Sequence, residues 1–171
     1  MLDKKKCSSF SGHRSENLPQ SPMELTTLRK RIEEEVEKSL NIGHNTFIMG
    51  ACYGFDLMAA EVVLAKMAEL RDGNLDNIRL VAAVPFTNQP ETFSAADRDL
   101  YYLVLDQCSE VETLNDEYRR GCYSERNRWM VDHSSHLICY WNGRPSGTGH
   151  TVKYARKKGL KIVNLHDEIS S

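Results

Sequence analysis

The sequence predicts a three-layer α/β fold, with helices on both faces of a mostly parallel sheet. Short apolar runs alternate with stretches of helical periodicity along the whole chain, the pattern of successive βαβ units. The run Arg79-Leu80-Val81-Ala82-Ala83-Val84 is almost continuously apolar, as a strand must be when both faces of its sheet are covered. Glycine-bearing turns also recur between a strand and the helix that follows it.

Taken in order, Cys7 to Ser11 reads as a first strand that ends in the turn Gly12-His13-Arg14. Ser21-Pro22-Met23-Glu24 has the form of a capping box with proline at the first helical position, where its missing N–H costs nothing. Behind it Leu25, Leu28, Ile32, Val36 and Leu40 recur at helical spacing, with Arg29, Lys30, Glu33, Glu34 and Glu37 on the other side, so this is an amphipathic surface helix. Thr46 to Met49 is a second strand, stopped by Gly50-Ala51-Cys52-Tyr53-Gly54, after which Asp56 is placed to cap a helix running to about Leu70. That helix is apolar almost all round and is expected between the sheet and other helices. Pro85 ends the third strand. A helix over Phe93 to Gln107, a weak strand at Glu110 to Leu114 and a helix over Ser124 to Asp132 follow. His136 to Trp141 reads as a strand, the loop Asn142 to Gly149 leads into a helix through Lys158, and Leu160 to Leu165 closes the chain as a last strand. Nothing divides the sequence, so residues 1–171 read as one domain with a core over about 7–166.

With 171 residues and 40% hydrophobic content, the chain has enough material for a core without staples. Cys7, Cys52, Cys108, Cys122 and Cys139 are odd in number and never form a C-x-x-C pair, so free, mostly buried thiols are expected rather than disulfides or zinc. No apolar run approaches a membrane span, and Lys4, Lys5 and Lys6 are not followed by a signal-peptide stretch, so the expected location is cytoplasmic. A net charge of -2 argues against a dedicated nucleic-acid binder, which needs a strongly basic balance. Two local basic groups stand out, Arg119, Arg120, Arg126 and Arg128, and Lys153, Arg156, Lys157, Lys158 and Lys161; such runs are more often solvated faces.

Open α/β sheets bind ligands beyond the carboxyl ends of their strands, where helix N-termini offer unpaired N–H groups. Three turns fall there: Ser11-Gly12-His13-Arg14, Gly50 to Asp56, and Asn142-Gly143-Arg144-Pro145-Ser146-Gly147-Thr148-Gly149-His150-Thr151. Glycine lets a phosphate approach the backbone, and Ser146, Thr148 and Thr151 add hydroxyls. None matches the dinucleotide fingerprint or the P-loop. Each alone is as readily simple turn chemistry; three at one edge favour a site.

With these residues placed, the sequence resembles the SLOG superfamily, the Rossmann-like group that includes the DNA-processing protein DprA, the cytokinin-activating LOG enzymes and the YpsA-like proteins, and it is most similar to the YpsA-like branch. The matching segments are Ser11-Gly12-His13-Arg14, Met49 through Glu61, Val84-Pro85-Phe86, Ser124 through Asp132, and Ser146 through Ala155. The likeness covers about residues 7 to 166. It implies a Rossmann-like three-layer αβα domain that holds nucleotides, nucleotide sugars or related signalling molecules at its glycine loops, and self-association as a homodimer. LOG enzymes cleave an N-glycosidic bond with an acidic residue shortly after the glycine-threonine motif, where this chain has Val152 and Lys153.

The expected function is therefore binding of a nucleotide or nucleotide-derived ligand as a sensor or regulatory module, with no metal and no cofactor. Phosphate would be held by Gly12, Gly147, Thr148 and Gly149 with help from Arg14, whose guanidinium suits bidentate contact. Ser11, His13, Gly50, Gly54, Pro85, Phe86, Arg126, Asn127, Asn142 and Gly143 complete the candidate set. His13 and His150 flank glycine turns and offer donors to phosphate. Phe86, Tyr53 and Trp141 are candidates to stack on a base, against the commoner role of core aromatics. An enzyme cleaving a glycosidic or phosphate bond is the alternative, with Asp56 or Glu61 supplying the carboxylate; Asp56 reads first as a helix cap, while Glu61 on an apolar helix must find a partner or a polar cleft. A DprA-like single-stranded DNA binder is the third reading.

Overall fold

A computed structural model describes residues 1–71 and 77–169. Six strands form one all-parallel sheet: β1 (Cys7–Gly12), β2 (Thr46–Met49), β3 (Arg79–Val84), β4 (Glu110–Thr113), β5 (His136–Tyr140) and β6 (Lys161–Asn164). The helices are α1 (Pro22–Asn41), α2 (Phe55–Leu70), α3 (Ala95–Gln107), α4 (Cys122–Asp132), α5 (Gly147–Lys157) and the short α6 (Leu165–Ile169). Strand order is β4-β3-β2-β1-β5-β6. The chain winds outward from β1 on one side, then crosses to the other through α4, so the order reverses between β1 and β5. Crossovers that depart in opposite directions open a crevice at the carboxyl ends of those two strands.

The local signals explain the helices. Ser21 Oγ accepts the Glu24 amide at 3.5 Å and Pro22 opens α1. Leu28, Ile32 and Val36 form the buried stripe of α1, four residues apart as one helical face requires. On α2, Leu57, Ala59, Ala60, Val62 and Val63 are buried against the sheet, α1 and α3. These helices, with Phe10, Phe47, Met49, Leu80 and Ile138 from the sheet, make the larger core. On the opposite face, α4 and α5 cover Cys7, Ile48, Val81 and Ala83 with Met130, and Leu137 and Cys139 with Val152 and Ala155.

Two boundaries differ from expectation. The last strand is shorter than Leu160 to Leu165, because Leu165 turns its fully buried side chain into the larger core as the first residue of α6. Asp56 is not the N-cap of α2: that position is Gly54, at φ +94°, and Asp56 is the second helical residue. All five cysteines are free thiols, four of them buried. No helix among the described residues is long and apolar enough to cross a membrane.

Candidate functional site

The crevice between β1 and β5 holds a hollow of ≈ 270 Å³. Its walls come from four places that are distant in sequence. The end of β1 supplies Ser11, Gly12, His13 and Arg14, followed by Glu16 and Asn17; the β2–α2 turn supplies Cys52 and Asp56; α4 supplies Tyr123, Arg126, Asn127 and Met130; and the start of α5 supplies Ser146, Gly147 and Thr148.

Two arginines define its electrostatics. Arg126 is 5% exposed, and it donates from Nη1 to the Gly50 carbonyl and from Nε to Asn127 Oδ1 at 2.8 Å. Arg14 is exposed at the rim, its guanidinium 5.5 Å from the centre of the Tyr53 ring and 5.8 Å from that of Tyr123. Those two faces fix it in place through cation–π attraction. Among the described residues neither arginine forms a direct ion pair with a carboxylate, although carboxylates pair with lysines and arginines elsewhere on the molecule. Two cations without a direct ion pair face one hollow, which Asp56 and Glu16 also line, and the unpaired guanidinium edges favour an anion there. The start of α5 adds to this. Ser146 Oγ accepts the Gly149 amide at 3.0 Å, which leaves the earlier amides of the first turn, those of Gly147 and Thr148, available to an occupant.

Asp56 lies at the floor of the hollow, 6% exposed. Burial pushes its carboxyl up to about 6, against the pull of Arg126 and of the Cys52 and Gly50 amides. The Cys52 amide donates to Asp56 Oδ2 at 3.4 Å, so the carboxylate binds back to its own loop. That loop also holds Ala51 in the left-handed region at φ 58°, which costs a non-glycine residue about 1–2 kcal/mol. Bonds from the Ala51 amide to Met49 Sδ and from Gln89 Nε2 to the Ala51 carbonyl, 3.0 and 3.3 Å, fix that turn.

Several candidates turn out to serve the scaffold. A Cβ on Gly12 would lie 2.3 Å from the Phe55 ring, and one on Gly149 would lie 2.9 Å from Trp141 Nε1. These glycines allow α2 and the β5–α5 loop to pack closely. Gly50 is crowded by Arg126 and Asp56, and Gly54 combines its positive φ with backbone of Arg14 and Ser15 at 2.6–2.8 Å. Gly147 differs: a Cβ there would meet no heavy atom within 4 Å. His13 is not a phosphate donor at Nε2, which accepts the Asn142 amide at 3.0 Å. Burial also lowers its pKa, so it is a neutral bracket that joins β1 to the β5–α5 loop.

The structure does not bring every candidate together. Glu61 sits away from the crevice on the outer side of α2, 3.5 Å from Arg29 of α1, which is the partner that a carboxylate on that helix needed. Phe86 is buried against Tyr118 and Tyr123, and the carbonyl of Pro85 accepts from Asn115 Nδ2 at 2.9 Å; both support α4 from behind. Asn142 and Gly143 shape the loop outside the hollow, with Asn142 Oδ1 accepting the Arg144 amide at 3.1 Å. Trp141 donates from Nε1 to the Arg144 carbonyl at 2.7 Å, and Tyr53 donates its hydroxyl to Glu16 at 2.8 Å. Thr151 Oγ1 donates to the Gly147 carbonyl at 3.0 Å. Val152 is core and Lys153 is exposed, so α5 brings no acid to the crevice. The arginine-rich stretch is dispersed: Arg119 pairs with Glu125, Arg126 is buried, and Arg128 lies over Tyr154.

Glu16, Asn17, Tyr123 and Met130 line the hollow without having been expected there, and Cys52 was expected only as part of the Gly50 to Asp56 turn. Tyr123 was within reach of sequence reading, since it precedes Arg126 and Asn127 by three and four residues and shares their helix face. Glu16 and Asn17 carry no such signal.

The chain is 27% identical over 139 residues to the uncharacterized SPbeta prophage-derived protein YoqJ of Bacillus subtilis (strain 168), covering 72% of this chain and 78% of that protein. The structure is similar to DNA processing protein A from Streptococcus pneumoniae, with a TM-score of 0.60, 16% identity and coverage of 93% of this chain and 50% of the other. It is similar also to DNA processing protein A from Helicobacter pylori, a protein with a single-stranded DNA binding mode, with a TM-score of 0.61, 15% identity and coverage of 94% and 65%. The chain thus spans less than two thirds of either DNA-processing protein, and identity at this level carries the fold alone. The YspA SLOG family (YpsA) matches residues 9–165, and the chain belongs to that family.

Proposed function

We propose that this protein binds a nucleotide or nucleotide-derived ligand in the crevice between β1 and β5, as a sensor or regulatory module. One observation carries the reading: Arg14, Arg126 and the first turn of α5 face one hollow, and neither arginine has a direct carboxylate partner among the described residues. A phosphate placed there would receive guanidinium and backbone N–H groups together.

Thermal shift with AMP, ADP-ribose, NAD, cyclic nucleotides and oligonucleotides tests it. A bound ligand at 100 times its dissociation constant adds about 2.7 kcal/mol of stability. Arg14→Ala and Gly147→Val are expected to lose that shift while staying folded, the second because a branched side chain fills the open space at Gly147. Retained binding in both variants removes the site. Stabilisation by oligonucleotides alone, falling steeply with salt, replaces the reading with single-stranded DNA binding, the mode named for the Helicobacter pylori neighbour.

The position of Asp56 supports a second reading. A carboxyl near 6 on the floor of the hollow is suited to give or take a proton at neutral pH, as hydrolysis of a glycosidic or phosphate bond requires. Chromatography of each stabilising ligand decides: intact ligand favours binding, and free base or ribose phosphate favours the enzyme.

A further inference from the structure

We propose that the ligand has two parts, an anionic group and a flat neutral heterocycle, and that the heterocycle enters a second hollow between α4 and α5. This rests on the anion-binding reading of the first hollow.

The second hollow has a volume of ≈ 380 Å³ and lies between Tyr123, Ser124 and Arg128 of α4 and Gly147, His150 and Tyr154 of α5. It is continuous in its walls with the first: Tyr123, Asn127 and Gly147 line both. At the threshold stands Gly147, whose missing side chain leaves free space where a Cβ would meet nothing within 4 Å. The other glycines at this sheet edge that lack a positive φ are filled against by protein atoms. Packing accounts for Gly12, Gly50 and Gly149; Gly147 is exposed, and its lack of a side chain leaves the way between the two hollows open.

The two hollows differ in chemistry. The first holds two guanidinium groups, of Arg14 and Arg126, and two carboxyls, of Asp56 and Glu16. The second has tyrosine rings as walls, and both rings are held before anything binds. Tyr154 donates its hydroxyl to Asp132 Oδ1 at 2.8 Å, and Arg128 lies 5.5 Å from its ring centre. Tyr123 is backed by Phe86 at 5.7 Å between ring centroids. The guanidinium groups of Arg14 and Arg126 lie over Tyr123, and Arg128 and Lys158 lie over Tyr154, so a planar ring meets a preformed surface of aromatic edges and flat guanidinium groups at little entropic cost. Arg128 beside them favours an uncharged, electron-rich ring and opposes a cationic one. Size agrees. Ligand sites occupy roughly 300–1,000 Å³; the polar hollow falls short of that range alone, and the two together lie within it.

Titration calorimetry of the whole chain with ribose 5-phosphate and with AMP, GMP, CMP and UMP tests the proposal. At least one nucleoside monophosphate is expected to bind 10-fold or more tightly than ribose 5-phosphate. Ser124→Trp, which places an indole in the second hollow from an exposed position on the first turn of α4, is expected to reduce that nucleotide to the affinity of ribose 5-phosphate and to leave ribose 5-phosphate binding unchanged. If ribose 5-phosphate binds and no nucleotide binds better, the two-part ligand is wrong and the anion site stands. A Ser124→Trp protein that keeps the nucleotide preference also overturns it. If neither ribose 5-phosphate nor any nucleotide binds, the anion reading itself fails.

Discussion

The two ends of the sheet both bury polar side chains, and they do so in opposite ways. At the amino end, Ser8 Oγ is 2.8 Å from His44 Nδ1 and 3.2 Å from Ser39 Oγ, Ser135 Oγ is 3.4 Å from His44 Nε2 and 3.2 Å from His136 Nδ1, and the two imidazoles meet edge to face at 4.4 Å. These groups bond to one another. At the carboxyl end Arg126 and Asp56 are also buried; Arg126 bonds directly only to a carbonyl and an amide oxygen and Asp56 to loop amides, and the two charges act on each other without a direct ion pair. A buried charge is expensive without a compensating one. The difference separates polar residues that serve the fold from polar residues held ready for something else.

The comparison breaks first at Arg126. Replacing it with alanine leaves the Gly50 carbonyl without its donor and Asp56 without its nearest cation. Arg126→Ala is therefore expected to cost about 3 kcal/mol in urea denaturation and to abolish ligand stabilisation in the thermal-shift assay. Unchanged stability would mean that Arg126 contributes nothing to holding the Gly50 turn or Asp56.

The ends also respond to pH with opposite signs. The carboxyl of Asp56 is raised from 3.8 to about 6 in the folded protein, so the fold holds a proton that the unfolded chain has released. Its contribution is full below the unfolded value and is lost as pH rises through about 6, by about 3 kcal/mol across the window. His44 and His136 are lowered, first by burial and then by the charge of His136 and of Lys161 respectively. Their contribution is present above the ordinary histidine value and is lost as pH falls. Denaturation midpoints measured from pH 4 to pH 8 are expected to lose the decline on the alkaline side in Asp56→Asn while keeping the acid-side decline. A variant that follows the native curve throughout would show that Asp56 does not carry the proton.

The smallest effect is expected at the amino end. His44→Gln exchanges one set of hydrogen bonds for a poorer one, at about 1–2 kcal/mol. Ligand affinity by calorimetry is expected to stay native, because His44 sits at the far ends of the strands from the crevice. A matching loss of affinity would join the two ends and remove the distinction between them.

The chain order of strands and helices was legible because period and punctuation are local. The alternation of apolar runs, the Ser21 cap and the Pro85 stop each act on their own neighbours, and the structure keeps them. Where sequence reading failed, the cause was contact at a distance. Leu165 continues an apolar run, yet it starts α6 because its side chain reaches the larger core. Asp56 has the composition of a cap, but Gly54 takes that position at a backbone angle suited to glycine, which frees the carboxylate to hold the turn before it. Glu61 and Asp56 lie five residues apart on one helix, and only packing shows that one meets Arg29 while the other meets the crevice.

The sequence by itself determined the family, the layered parallel architecture and the three turns at one sheet edge, because these follow from short-range patterning and an ordered set of motifs. Tertiary structure alone decided which of those residues share a hollow. That selection depends on the reversal of strand order between β1 and β5, which brings Arg14, Asp56, Arg126 and Gly147 together from separate crossovers, and on which glycine spaces the protein's own side chains already fill.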